Sequence, residues 1–203
     1  MKKHNITIII LFILIGLLLF GFLGYKVYND FFKDSNPTKK LVSLDLYGYT
    51  LSKNDTDVYK TNFKELQGVL NETPVNFQEY AKSLSKLFII DLFTLDNKLA
   101  STDIGGLEFI HKDLKENFKD NMGATLYKNI ENNLNGNRTQ KLPIVSKITS
   151  CEVSDTKYTY LDNEYDAYLI NISWEYEEDM GYQNSAKITL IKDDEMLYIV
   201  KSE

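Results

Sequence analysis

Only one cysteine, Cys151, occurs in the 203 residues, so no intramolecular disulfide can staple the fold, whichever compartment the protein faces. Histidine is almost as scarce. His4 sits beside a long apolar run and His111 stands alone, so no histidine cluster exists to hold a transition metal. Basic charge is also in short supply: without residues 1–25 the chain keeps 21 of its 23 Lys and Arg against all 29 Asp and Glu, a formal charge of −8. A nucleic-acid-binding module needs the opposite balance to displace counterions from phosphates, and a polybasic membrane-surface binder needs it too. Charge therefore excludes nucleic acid as a partner. Aromatics, by contrast, make up 13% of the chain, with 14 Tyr, which fits a folded globule rather than a disordered tail.

Apolar residues are concentrated near the start. From Ile6 to Gly24 only Thr7 is strongly polar and no charge occurs, a run of 19 residues that as a helix spans about 28 Å, close to a ~30 Å hydrocarbon core. Lys2 and Lys3 precede it, and the exit reads Gly21-Phe22-Leu23-Gly24-Tyr25-Lys26-Val27-Tyr28. That exit lacks the small-residue cleavage site of a signal peptide and offers Tyr25 and Tyr28 to the headgroup region. The expectation is an uncleaved single-pass anchor in the cell membrane. Lys26, Lys33, Lys39 and Lys40 outnumber the two leader lysines, but Lys39 and Lys40 lie far from the span, so the N-terminus is expected inside and the C-terminal domain outside. The resulting division is a short cytoplasmic tail (1–5), a transmembrane helix (6–25), a juxtamembrane stalk and lead-in (26–56) and an extracytoplasmic domain (57–203).

In that last region the hydrophobic period is first helical and then changes to two. Asp55-Thr56-Asp57 opens a helix with Tyr59, Phe63, Leu66 and Leu70 at helical spacing. After Pro74, Asn76 is placed to cap a second helix and Glu79 to return a bond to the cap. Its apolar residues, Phe77, Tyr80, Ala81, Leu84, Phe88, Leu92 and Leu95, predict one broad buried face. A third helix from about Lys112 carries Leu114, Phe118, Met122, Leu126 and Ile130 and gives out near Asn132–Gly136. Gly105-Gly106 supplies the turn into it. Beyond Pro143, a strand over Ile144–Tyr160 is expected to break near Ser154-Asp155, and Tyr168, Ile170, Ile172, Trp174 and Tyr176 share one face of the next. Ala186–Ile191 and Met196–Val200 complete a four-stranded meander. The fold class is α+β: three helices packed on a curved antiparallel sheet, behind an N-terminal transmembrane helix.

Three helices, the longest carrying Phe88-Ile89-Ile90-Asp91-Leu92-Phe93-Thr94-Leu95, followed by a meander resemble the cone of the nuclear transport factor two-like (cystatin-like) superfamily. With a spanning helix in front, the arrangement is similar to bitopic scaffold proteins of bacterial conjugation and type IV secretion. Asp91-Leu92-Phe93-Thr94-Leu95-Asp96 and Asp103-Ile104-Gly105-Gly106 resemble uncharacterised membrane proteins of low-GC Gram-positive bacteria. The superfamily holds enzymes, binding modules and assembly domains alike, so the likeness implies a fold and leaves the chemistry open.

Enzymes on this fold place an acid, Tyr or His inside the cone, which singles out Asp91, with Tyr168, Trp174 and Tyr176 as neighbouring donors; the bland alternative puts Asp91 at the edge of its stripe, exposed or bonded to nearby backbone. No base-and-nucleophile pair is visible. His111 reads as a surface residue at a helix N-terminus and Cys151 as a small buried hydrophobe. Asp162-Asn163-Glu164-Tyr165-Asp166 and Glu177-Glu178-Asp179 lack calcium-loop spacing, so no metal or cofactor is expected. The sequence therefore points to a membrane-anchored scaffold or interaction domain partnered by the membrane and other envelope proteins, with homo-oligomerisation open. The alternative is a cone that binds or processes a small apolar ligand through Asp91 and the inward aromatics.

Overall fold

The computed structural model describes residues 40–44 and 46–203, so the expected tail, spanning helix and most of the stalk lie outside the described residues. Among the described residues no helix is long and apolar enough to cross a membrane. The compact unit starts at Lys40. It opens with a hairpin, β1 (Lys40–Leu44) and β2 (Tyr49–Ser52), where the sequence suggested an irregular or extended lead-in, and Tyr49 and Leu51 of β2 are buried in the core.

Helix α1 (Asp57–Leu70) begins where expected, because the Thr56 hydroxyl accepts the Tyr59 amide. Helix α2 (Phe77–Phe93) is capped by Asn76, whose side-chain oxygen accepts the Gln78 and Glu79 amides. Glu79 pairs with Lys82 rather than returning a bond to the cap. The expectation of one buried face is corrected: from Ala81 to Phe93 every residue except Lys82, Lys86 and Asp91 is buried. The reason is position. α1 packs along one side of α2 and strands β3 and β4 along another, while the segment after α2 folds back over it.

The third helix, α3 (Lys115–Ala124), is shorter than its hydrophobic stripe. Thr125 turns its hydroxyl onto the Asn121 carbonyl, and the Tyr127 amide returns to the Met122 carbonyl, which ends the helix before Leu126 and Ile130. No residue of α3 is buried.

Strands β3 (Val145–Tyr160), β4 (Asn163–Tyr176), β5 (Ser185–Asp193) and β6 (Met196–Ser202) form an antiparallel meander in that order, so the domain is α+β with a curved four-stranded sheet. β3 continues through Ser154-Asp155, paired with Leu169 and Tyr168, and its irregularities fall earlier, between Val145 and Lys147 and between Ile148 and Ser150. Ile170, Ile172 and Trp174 point into the core while Asn171 and Glu175 are exposed. His111 is a further correction. It caps a short 3-10 turn as expected, but it is buried between the rings of Tyr160 at 5.1 Å and Tyr198 at 5.5 Å.

Two glycines separate close packing from open space. A Cβ on Gly105 would lie 2.3 Å from the Asp91 carbonyl oxygen, whereas one on Gly123 in α3 would meet nothing within 4 Å. Gly105→Ala is therefore expected to destabilise the domain by roughly 1–3 kcal/mol or more. Gly123→Ala is expected to stabilise it by about 0.5–1 kcal/mol, and denaturant midpoints of the two variants should move in opposite directions.

Candidate functional site

The four residues singled out in the sequence do not converge. Trp174 is buried against Phe93, ring centroids 4.7 Å apart, and Tyr176 stands edge-on beside it with its hydroxyl donating to the Gln183 carbonyl. Burial pushes the Tyr176 phenol up to about 12. Tyr168 lies six residues back along β4, about 20 Å from Trp174 at strand rise, half-buried between Asp155 and Leu190 on the neighbouring strands. Asp91 is two residues before Phe93, some 200° around the helix, so it faces away from the side on which Trp174 packs.

What Asp91 does face is a polar knot between α2, the hairpin and the segment after α2. One carboxylate oxygen takes the Lys98 ammonium and the other accepts the Gly106 amide. Lys98 is 6% exposed. Burial by itself would lower its pKa, but the adjacent Asp91 outweighs that and holds the ammonium well above its usual range. Beside this pair the Tyr127 hydroxyl donates to the Leu92 carbonyl and accepts the Gly105 amide, tying the same glycine loop to the last turn of α2. Gly106 has φ +76°, and a Cβ there would lie 2.7 Å from the Phe88 ring, so the loop can rest on α2 because it has no side chain.

Two residues further on, Glu108 extends the knot to other elements. Its Oε2 accepts the Thr50 amide at 3.2 Å and the Thr50 hydroxyl at 3.1 Å, and its Oε1 accepts the Tyr59 hydroxyl at 3.1 Å. Burial, and then the charge of Asp91, pushes the Glu108 carboxyl up to about 7, against the opposing pull of those bonds. Asp55 is raised as well, by burial and by Asp91, although the Ser52 amide bonds to it. Asp91 takes the Lys98 ammonium, and among the described residues no cation is bonded to Glu108. Tyr59 and Tyr127 are both raised by burial and carry no charge to the balance.

Sequence reasoning found Asp91 and quoted Gly105-Gly106, but it missed Lys98, Glu108, Thr50 and Tyr59. The available signal was the glycine pair itself, which marks a close backbone approach, with an acid two residues later. Among the described residues no group of three His, Cys, Asp or Glu is arranged to hold a metal.

Two of the clefts that open among the described residues flank α3 and α1. One of about 500 Å³ lies between the Leu114, Phe118 and Met122 side of α3 and the end of β6, floored by Leu92, Phe93 and Ile199. The other, about 620 Å³, runs between α1 and the first half of β3 and is edged by the Glu65–Lys86 and Glu79–Lys82 ion pairs. Cys151 borders it half-buried, its thiol pushed up to about 11 by burial, which makes it a poor nucleophile. None of Asp91, Tyr168, Trp174 and Tyr176 lines either cleft. No protein-family model matches the chain, and neither a curated protein nor a solved structure matches it.

The knot has a measurable signature. Asp91→Ala leaves the Lys98 ammonium buried without its partner and should cost about 2–3 kcal/mol, below the ~3–5 of a fully dry pair because Asp91 keeps some contact with water. Adding Lys98→Met should recover part of that loss. Equal losses in D91A and D91A/K98M, measured by urea unfolding, would show that the pair carries no coupling.

Proposed function

We propose that this chain is a single-pass membrane protein whose C-terminal domain lies outside the cell and acts through protein contacts, as a scaffold or interaction module of an envelope assembly. The observation that carries the reading is the filled interior. Between α2 and the sheet the space is taken by the domain's own side chains, with Ile170, Ile188 and Leu190 at 0% exposure, Ile172 and Trp174 at 1%, and the Trp174 ring packed on Phe93. A cone that processed a substrate would need a chamber there, with polar groups converging on it. Asp91, the acid best suited to that role, has both oxygens bonded on the other side of α2.

The anchor rests on the apolar run from Ile6 to Gly24, and the outward orientation on the leader lysines beside it. Element order, helices and then a meander, supports the likeness to cone-shaped scaffold domains of conjugative transfer channels. Homo-oligomerisation fits the same role. A second reading, a binder of a small apolar ligand, is favoured by the α3 cleft, whose volume is within the ~300–1,000 Å³ of ligand sites.

Protease added to intact cells should degrade the domain, and protection until lysis would overturn the outward orientation. After mild-detergent extraction the full chain should run in a complex heavier than one protomer by light scattering; a lone protomer would overturn the scaffold reading. The uncharged probe N-phenyl-1-naphthylamine decides the alternative. Saturable fluorescence that Met122→Trp abolishes would favour a ligand cleft.

A further inference from the structure

β6 is an outer strand of the sheet, and its free side changes character along its length. The segment before α3 runs parallel to it, with Ile110 opposite Ile199 and the His111 amide bonded to the Ile199 carbonyl. That segment then leaves the edge through the 3-10 turn Lys112–Leu114 and becomes α3. Further along, the edge is open. In an antiparallel ladder, residues that exchange both bonds with the neighbouring strand alternate with residues whose amide and carbonyl point away from it. Lys187 of β5 and Glu203 exchange both bonds, so at the next pair, Ile188 and Ser202, the Ser202 amide and carbonyl turn outward. A register shift places Val200 as an extra residue between Ile199 and Lys201, which is why Ser202 is the next outward position after Ile199. Among the described residues neither outward group of Ser202 has a backbone partner. Val200 and Ser202 form one wall of the α3 cleft.

We propose that this cleft takes an extended peptide segment of a partner protein, which adds to the sheet as a strand beside Ser202 and sets alternate apolar side chains between the Leu92–Phe93 floor and the Phe118 and Met122 side of α3. Three observations select that occupant. Unbonded main-chain groups on the wall call for a partner that brings a donor and an acceptor at main-chain spacing, as an added strand does; a small apolar molecule brings neither, and a helix has already used its own. The apolar floor calls for side chains on one face only, and a strand sends every second residue into the groove while the others face water. The edge also already pairs with an extended segment of this chain, at Ile110, and the added peptide continues that row. Ser202 lies three residues beyond Ile199, roughly 10 Å at strand rise.

The proposal deepens the interaction-module reading above, and rests on it, by naming the chemistry of the partner: a segment in which apolar residues alternate with polar ones. It does not depend on which side of a membrane the domain faces. The outward amide also offers a clean substitution. Ser202→Pro removes the donor and puts a ring where the partner strand would lie, yet the lost amide makes no bond to β5, and proline is tolerated on an edge strand when its nitrogen faces away from the ladder.

The test is fluorescence anisotropy of a labelled peptide of about seven residues, a usual strand length, with Val and Thr alternating, titrated with the full chain in lipid nanodiscs. Binding should saturate, and a peptide of the same composition with its Val residues in one block should bind at least about tenfold more weakly. Ser202→Pro, checked by an unchanged urea midpoint, should weaken binding by about tenfold or more. Should S202P fold poorly, N-methylation of the peptide amides one at a time decides on the wild-type protein: the loss should fall on amides that face β6 and spare their immediate neighbours. No saturable binding, equal binding of the blocked peptide, a folded S202P that binds like the wild type, or an N-methyl scan without alternation would each overturn the groove. So would a complex that S202P dissociates in light scattering while the peptide stays unbound, which would assign the edge to a second copy of the chain. A heavier complex without peptide binding removes the groove and keeps the scaffold reading, whereas peptide binding by a lone protomer keeps the groove and removes the scaffold.

Discussion

A helix enclosed by protein has to settle every polar group it carries, and α2 is enclosed along its last three turns. Lys86 escapes by reaching Glu65 of α1. Asp91 has no such exit. Its two oxygens require donors, and the chain supplies them from the segment that follows the helix, the Lys98 ammonium and the Gly106 amide. Each donor then fixes a stretch of backbone. The amide of residue 106 can reach the carboxylate only if its segment lies directly on the helix, and residues 105 and 106 can lie there only without side chains. Once they are placed, Glu108 and Phe109 follow by chain geometry, the first under Thr50 and Tyr59, the second beneath the Tyr49 ring.

That arrangement settles the hydrogen bonds better than the charges. Asp91 takes the Lys98 ammonium, and among the described residues no cation is bonded to Glu108. Glu108 is left with neutral donors, which stabilise an anion less than a cation does. A carboxyl group so placed rests near the point where neutral and ionised forms balance, because its three bonds favour the charge while burial and Asp91 oppose it. The interaction that orders the glycine loop is therefore also the one that leaves its neighbour sensitive to protons.

The fold was legible wherever local chemistry and periodicity agreed. Thr56 and Asn76 announced their helices, and the alternation around Ile170, Ile172 and Trp174 announced a half-buried strand. The readings that failed share one physical origin, since each depended on contacts distant in sequence. Ile130 and Leu126 lie at helical spacing from Met122, yet Tyr127 is drawn into the core to bond Leu92 and Gly105, and that breaks the helix. His111 looked exposed because nothing local covers it; Tyr160, at the far end of β3, does. The candidate site failed for the same reason. A shared strand parity put Tyr168 and Trp174 on one face, but it could not show how far apart they lie, nor that Asp91 turns away from both.

The short third helix completes the argument about what the surface offers. Its stripe of Leu114, Phe118 and Met122 is only partly buried, because a ten-residue helix ending at Ala124 has too little length to seal its face against β6. Isolated, such a helix would be marginal in water, so its docking must hold it in place. Yet that docking leaves the cleft beneath it open. The domain thus spends its aromatic and aliphatic side chains on closing the space between α2 and the sheet, and part of the apolar surface it leaves uncovered lies where α3 ends early. The break at Tyr127 that serves the knot on α2 is, on the opposite side of the same chain segment, the reason this cleft exists.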